Sequence, residues 1–77
     1  MDIKLKYHGR LTEVFGKSQD TITVVAITAE DLKKELKGYD LRFRESVFQI
    51  AQNNKIIEGS DILTTAAVDI FPPFSGG

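Results

Sequence analysis

The residues best placed to do chemistry stand at the end of the chain, where positions 71–77 read Phe71-Pro72-Pro73-Phe74-Ser75-Gly76-Gly77. Proline has no backbone N–H to give a sheet, so Pro72 and Pro73 stop strand pairing and hold the chain extended. Gly76 and Gly77 carry no Cβ and fit a channel too narrow for any other residue. A tail stiff at its base and thin at its tip suits delivery of a terminal carboxylate into a partner's active site. From Ser75 to Gly77 it reaches roughly 10 Å at about 3.3–3.6 Å per residue. A carboxylate is a poor electrophile because its leaving group would be oxide. Adenylation makes it a mixed anhydride, with AMP as a good leaving group. The chemistry open to the tail is therefore group carriage on Gly77, with Phe71, Pro72, Pro73, Phe74, Ser75 and Gly76 as candidate partner contacts. A frayed terminus is the alternative. Phe71 has two readings, a strand end packed on the core or a partner contact. Phe74 lies beyond the prolines and either anchors in a partner groove or folds back on its own domain.

Nothing else in the chain makes a self-contained active site. There is no cysteine and a single histidine, so no thiolate or histidine metal set can form. No Gly-rich phosphate loop and no nucleophile elbow is present. ATP and Mg²⁺ are therefore expected on an activating partner, and no cofactor on this chain. His8 reads as an exposed strand residue, and Asp2, Glu58 and Asp69 as unrelated carboxylates. Lys33, Lys34 and Lys37 read as a solvated helix face.

Seventy-seven residues make one small domain, and 42% hydrophobic content argues for a globular fold. A net charge of −1 provides no basic footprint for nucleic acid. No apolar run approaches a membrane span and no leader peptide is evident, so a cytoplasmic protein is expected. After Lys55 the charged side chains are Glu58, Asp61 and Asp69, all acidic. A partner facing this end is expected to present an apolar surface with basic groups.

The elements that must position the tail follow from periodicity. Ile3, Leu5 and Tyr7 alternate with Lys4, Lys6 and His8, which marks a half-buried strand. Leu11, Val14 and Phe15 give a short helical turn closing on Gly16. Thr21 to Ile27 reads as a β-branched strand, with Ile22, Val24 and Ala26 on one face, pairing antiparallel with the first. Thr28 caps a helix over 28–37 whose apolar stripe is Ala29, Leu32, Leu36 and Tyr39, with Gly38 at a left-handed C-terminal position. Arg42 to Glu45 reads as a charged connection, and Val47 to Ala51 as a third strand. Asn53-Asn54 turns the chain into a short strand at Ile56-Ile57. Ala66 to Phe71 is the last strand, with Val68 and Ile70 inward. A mixed sheet with one main helix on one face is an α+β domain.

The tail, the stretch Tyr7-His8-Gly9-Arg10-Leu11-Thr12-Glu13-Val14-Phe15-Gly16 and the strand-to-turn Ala51-Gln52-Asn53-Asn54 together resemble the small sulfur-carrier subunit of molybdopterin synthase. That family belongs to the ubiquitin-like β-grasp superfamily. The resemblance implies a β-grasp domain over 1–73, with the last strand central beside the first, and a flexible Gly-Gly tail over 74–77. It implies that a ubiquitin-activating-like adenylyltransferase charges Gly77 and that a persulfide donor converts it to a thiocarboxylate. The tail would then enter the molybdopterin synthase large subunit and give its sulfur to cyclic pyranopterin monophosphate, in molybdenum cofactor biosynthesis. The catalytic groups of that step belong to the large subunit, so this chain is a non-catalytic carrier. A related carrier for tRNA thiolation, thiazole or cysteine synthesis uses the same adenylate, and so does a protein modifier that links Gly77 to lysines. An interaction module with an inert tail is the remaining alternative. The family commonly has an acidic, Gly-containing turn before its last strand, where this chain reads Leu63-Thr64-Thr65-Ala66-Ala67-Val68.

Overall fold

The computed structural model describes residues 1–73. Five strands, β1 (Asp2–Tyr7), β2 (Gln19–Thr23), β3 (Gln49–Gln52), β4 (Lys55–Ile57) and β5 (Ala67–Phe71), form one sheet in the order β2-β1-β5-β3-β4. The helices are α1 (Leu11–Phe15), α2 (Ala29–Tyr39) and α3 (Leu41–Glu45). The last strand lies at the centre, parallel to β1 and antiparallel to β3. Both hairpin pairs, β1–β2 and β3–β4, are antiparallel.

Strict alternation in β1 sends Ile3, Leu5 and Tyr7 inward, and β5 does the same with Val68 and Ile70. These side chains meet Ala29, Leu32 and Leu36 of α2 in one core cluster. All three helical residues are fully buried, so the helix covers a single face of the sheet. Thr28 caps α2 by accepting from the Asp31 N–H at 3.2 Å, and Glu30 and Asp31 place negative charge in the first turn. Asn53 and Asn54 take φ values of 51° and 63°, the left-handed pair that closes a two-residue hairpin.

Several expectations are revised. The strand expected over 21–27 ends at Thr23, because the partner strand runs out: the last backbone bond toward β1 is Val24 N–H to the carbonyl of Met1. Val25 N–H instead reaches the Glu35 carboxylate, and the outward Val25 and Ile27 are exposed. The main helix runs through Gly38 to Tyr39, and Gly38 takes no left-handed turn; Asp40 ends the helix in an extended conformation. Tyr39 leaves the stripe and is half exposed, and Val14 likewise faces out.

The charged stretch over 42–45 is the short helix α3, and it buries Phe43. Asp40 caps it by accepting from the Arg42 N–H at 2.9 Å, while the Arg42 guanidinium returns to the same carboxylate at 2.6 Å. These Arg42 bonds, side chain first and backbone second, hold the Asp40 carboxyl at about 2. Phe43 then joins a ring chain: Tyr7 stacks on Phe15 at 4.3 Å, Phe15 lies 4.7 Å from Phe43, and Phe43 meets Phe48 edge-on at 5.2 Å. The third strand starts at Gln49 rather than Val47, since Phe48 turns into this cluster and Val47 is left outside. Tyr7 donates its phenol to Asp20 at 2.8 Å, and burial first, then that bond, push its pKa far upward.

Candidate functional site at the root of the tail

The chain leaves the sheet from its central strand. β1 and β5 run parallel with Tyr7 opposite Ile70, and the backbone ladder closes with His8 N–H donating to the Ile70 carbonyl at 3.0 Å. Pairing of this kind cannot continue past Pro72. Side-chain and backbone contacts continue it instead. The His8 ring stacks on Phe71 with 4.4 Å between centroids and 14° between planes. Gly9 sits against Pro72: a Cβ on Gly9 would stand 3.2 Å from Pro72 Cγ, and Gly9 adopts φ +58°. Arg10 and Pro73 line one open pocket of about 410 Å³, together with Val14, Glu45 and Val47. Residues 8, 9 and 10 therefore accompany residues 71, 72 and 73 in the register set by the strands.

His8 is oriented from two sides. Its Nε2 lies 2.8 Å from Asp69 Oδ1, and its ring faces Phe71 two residues further along β5. Lys6 stands opposite Asp69 in the strand register. The His8 side chain is 41% exposed, so the pair is reachable from solvent. On the other side of β5, Gln49 opposes Phe71.

Of the sequence-predicted site residues, Phe71, Pro72 and Pro73 are brought together with the β1–α1 junction. Phe71 does end a strand, yet it packs on His8 on the sheet face opposite the helix and is not among the buried core residues. Alternation explains this, since Val68 and Ile70 take the inward positions. Phe74, Ser75, Gly76 and Gly77 lie outside the described residues. His8 lies just past the end of β1 and is partly buried rather than an exposed strand residue, and its pairing with Asp69 and Phe71 joins positions more than 60 apart in sequence and has no local signal.

The departure before the last strand has a structural basis. Gln52 is a buried polar residue. Its Nε2 donates to the Ile62 carbonyl at 2.7 Å and its Oε1 accepts from Thr64 N–H at 3.0 Å. Leu63 N–H donates to Ile27, and Thr65 Oγ1 donates to Ala67. This loop is thus held by a side chain from β3 rather than by a tight turn of its own. Among the described residues there is no group of three or more His, Asp or Glu that could hold a metal ion, and no helix long and apolar enough to cross a membrane.

No family model matches the chain. No curated protein matches it either. Solved structures do. A Pyrococcus furiosus protein provisionally assigned as molybdopterin converting factor, subunit 1, superposes with a TM-score of 0.78 at 24% identity, covering 96% of this chain and 99% of that one. The crystal structure of SAMP1 from Haloferax volcanii gives 0.73 at 20% identity over 100% of both chains. The solution structure of the Haloferax volcanii HVO 2177 protein gives 0.69 at 20% identity, over 100% of this chain and 87% of that one. The fold is the ubiquitin-like β-grasp, an α+β domain with one main helix on a five-stranded mixed sheet.

Proposed function

We propose that this chain is a sulfur carrier acting through Gly77, and that it serves as the small subunit of a molybdopterin synthase. The observation that carries the reading is the exit of Phe71-Pro72-Pro73 from the central strand of a β-grasp sheet, toward a Gly76-Gly77 tip. The likeness in fold to the Pyrococcus furiosus protein and to SAMP1 is consistent with a carrier of this kind, and the Phe-Pro-Pro stop favours the molybdopterin branch. In this reading a ubiquitin-activating-like adenylyltransferase binds ATP and Mg²⁺. The Gly77 carboxylate attacks the α-phosphate, releases pyrophosphate and forms the acyl adenylate. A persulfide donor then delivers sulfur, AMP leaves, and reduction of the resulting acyl disulfide by a thiol frees the thiocarboxylate. The large subunit supplies the groups that act on cyclic pyranopterin monophosphate, and the thiocarboxylate sulfur is the nucleophile. The reaction takes place in the cytoplasm.

The test begins with intact-mass analysis of the native protein, which must end in a free Gly77 carboxylate. Incubation with the adenylyltransferase, ATP, Mg²⁺ and a sulfur donor should raise the mass by the exchange of one oxygen for sulfur. The product should then support molybdopterin formation with the large subunit. Deleting Gly77 or adding one residue after it moves the reactive carbon by about 3.5 Å. Misplacement by about 1 Å already costs around a hundredfold. Both variants should therefore be inactive while folded. Normal cofactor synthesis by either would overturn the proposal. Accumulation of Gly77 only in isopeptide bonds to lysines would replace it with a protein-modifier role.

A further inference from the structure

Beyond the tip itself, the tail needs a direction. Very few torsions are free between the sheet and Pro73. The strand ladder sets φ of Phe71, the following proline restricts its ψ, and the rings fix φ of Pro72 and Pro73 near −65°. The orientation of Phe71 at the end of β5 therefore carries through to Pro73 with little loss. On the exposed face His8 stacks on Phe71 at 4.4 Å and is itself bonded to Asp69 at 2.8 Å. The arrangement closes on itself: Asp69 and Phe71 are alternate residues of β5 on one sheet face, and His8 bridges both from just past the end of β1. Gly9 next to it is bare enough for Pro72 to lie alongside.

From this geometry we infer that His8 is a positioning residue for the tail. With Asp69 and Phe71 it forms a clamp that holds the tail root against the β1–α1 junction, so the partner receives a pre-aimed segment. The inference rests on the carrier reading for its purpose, not for its geometry. No step of the proposed chemistry uses His8. Its loss leaves the chemistry intact and adds an ordering cost when the partner takes the tail, which weakens binding of ground state and transition state alike. The adenylyltransferase reaction of His8→Ala should then show KM for the carrier raised about tenfold, the factor equal to about 1.4 kcal/mol, with kcat unchanged. His8→Phe keeps a ring against Phe71 and should recover most of the loss.

The experiment compares wild type, His8→Ala, His8→Phe and Thr23→Val. The last breaks the Thr23–Asp2 bond of 2.7 Å between β2 and the far end of β1 and serves as the control for general loosening of the sheet. Two readouts are taken. The first is the KM and kcat of adenylation with ATP and Mg²⁺. The second is NMR of the free protein: the nuclear Overhauser contact between Gly9 and Pro72, and the amide order parameter of Phe71. The expected result is a raised KM and a weakened Gly9–Pro72 contact in His8→Ala, restoration in His8→Phe, and wild-type values in Thr23→Val. An unchanged Gly9–Pro72 contact in His8→Ala overturns the clamp, as does a KM that rises equally in Thr23→Val. If the wild-type chain is not adenylated at all, the carrier reading fails, and the NMR comparison still decides whether His8 positions the tail root.

Discussion

Gly9 and Pro72 lie so close that a Cβ placed on Gly9 would stand 3.2 Å from Pro72 Cγ. The contact is where the first strand hands over to α1 and where the last strand has just lost its ladder. It therefore links the rigid sheet to the tail in a way that hydrogen bonding no longer can. Gly9→Ala should cost roughly 1–2 kcal/mol for a left-handed residue with a Cβ, and should also displace Pro72. Gly16 separates these effects, because it has φ +69° and an added Cβ there meets nothing within 4 Å. Gly16→Ala should lose similar stability in chemical denaturation yet leave the NMR signals of Pro72 in place. Matching tail perturbation in both variants would show that backbone strain alone is responsible.

The aromatic chain through α3 should be as important as the main helix. Leu32 and Phe43 are both essentially fully buried. Leu32→Ala is expected to cost about 2–5 kcal/mol and Phe43→Ala about 3–5 kcal/mol. Against a total near 5–8 kcal/mol for a domain of this size, either change brings the protein close to its unfolding threshold. Urea denaturation provides the comparison. A loss under about half a kcal/mol for Phe43→Ala would mean that α3 is dispensable to the core, against the packing of Phe43 between Phe15 and Phe48.

Acid sensitivity has a defined source in Asp40. Its carboxyl is held at about 2 by Arg42, so the folded state favours the charged form. Such a group contributes stability that is present above its unfolded value near 4 and is lost as pH falls toward about 2. Asp40→Asn retains an N-cap oxygen for Arg42 N–H but removes the ion pair. The variant should be less stable than wild type at pH 7. The gap should close as pH falls from about 4 to about 2. Thermal unfolding across that range checks it, and a pH-independent gap would move the effect away from the Asp40 charge.

Gln52 should be sensitive to charge at constant shape. It donates to the Ile62 carbonyl and accepts from Thr64 N–H while buried. Gln52→Ala leaves both backbone groups without this partner, at a cost of about 1–3 kcal/mol. Gln52→Glu keeps the acceptor for Thr64 but, when ionised, sets a carboxylate against the Ile62 carbonyl. Its deficit should therefore shrink on acidification, as protonation restores a donor. Hydrogen exchange of the Thr64 amide gives a local readout, expected to accelerate in both variants at neutral pH.

What the sequence determined by itself lies in its local patterns. Alternation in Ile3-Leu5-Tyr7 and in Val68-Ile70 defines the inward faces of β1 and β5, because successive side chains of a strand must oppose one another. Thr28 and Asp31 set the start of α2, and Asn53-Asn54 the β3–β4 turn, through preferences within a few residues. The Phe-Pro-Pro stop of the last strand is equally local. Tertiary structure decided the rest. Val24 to Ile27 has the composition of a strand, but beyond Met1 it meets only single bonds, from Val25 N–H to Glu35 and from Leu63 N–H to the Ile27 carbonyl, and a strand exists only where a continuous ladder partner does. Arg42 to Glu45 reads as a charged connection until Phe43 finds Phe15 and Phe48 from other segments. The central place of β5 brought the β-grasp order with it, and sequence had supplied that order only through family likeness. It also brought His8 to Asp69 and Phe71, across a separation of 61 residues between the bonded pair. No periodicity encodes that meeting, because it depends on parallel pairing of the two ends of the chain, which becomes favourable only when the core they share has formed.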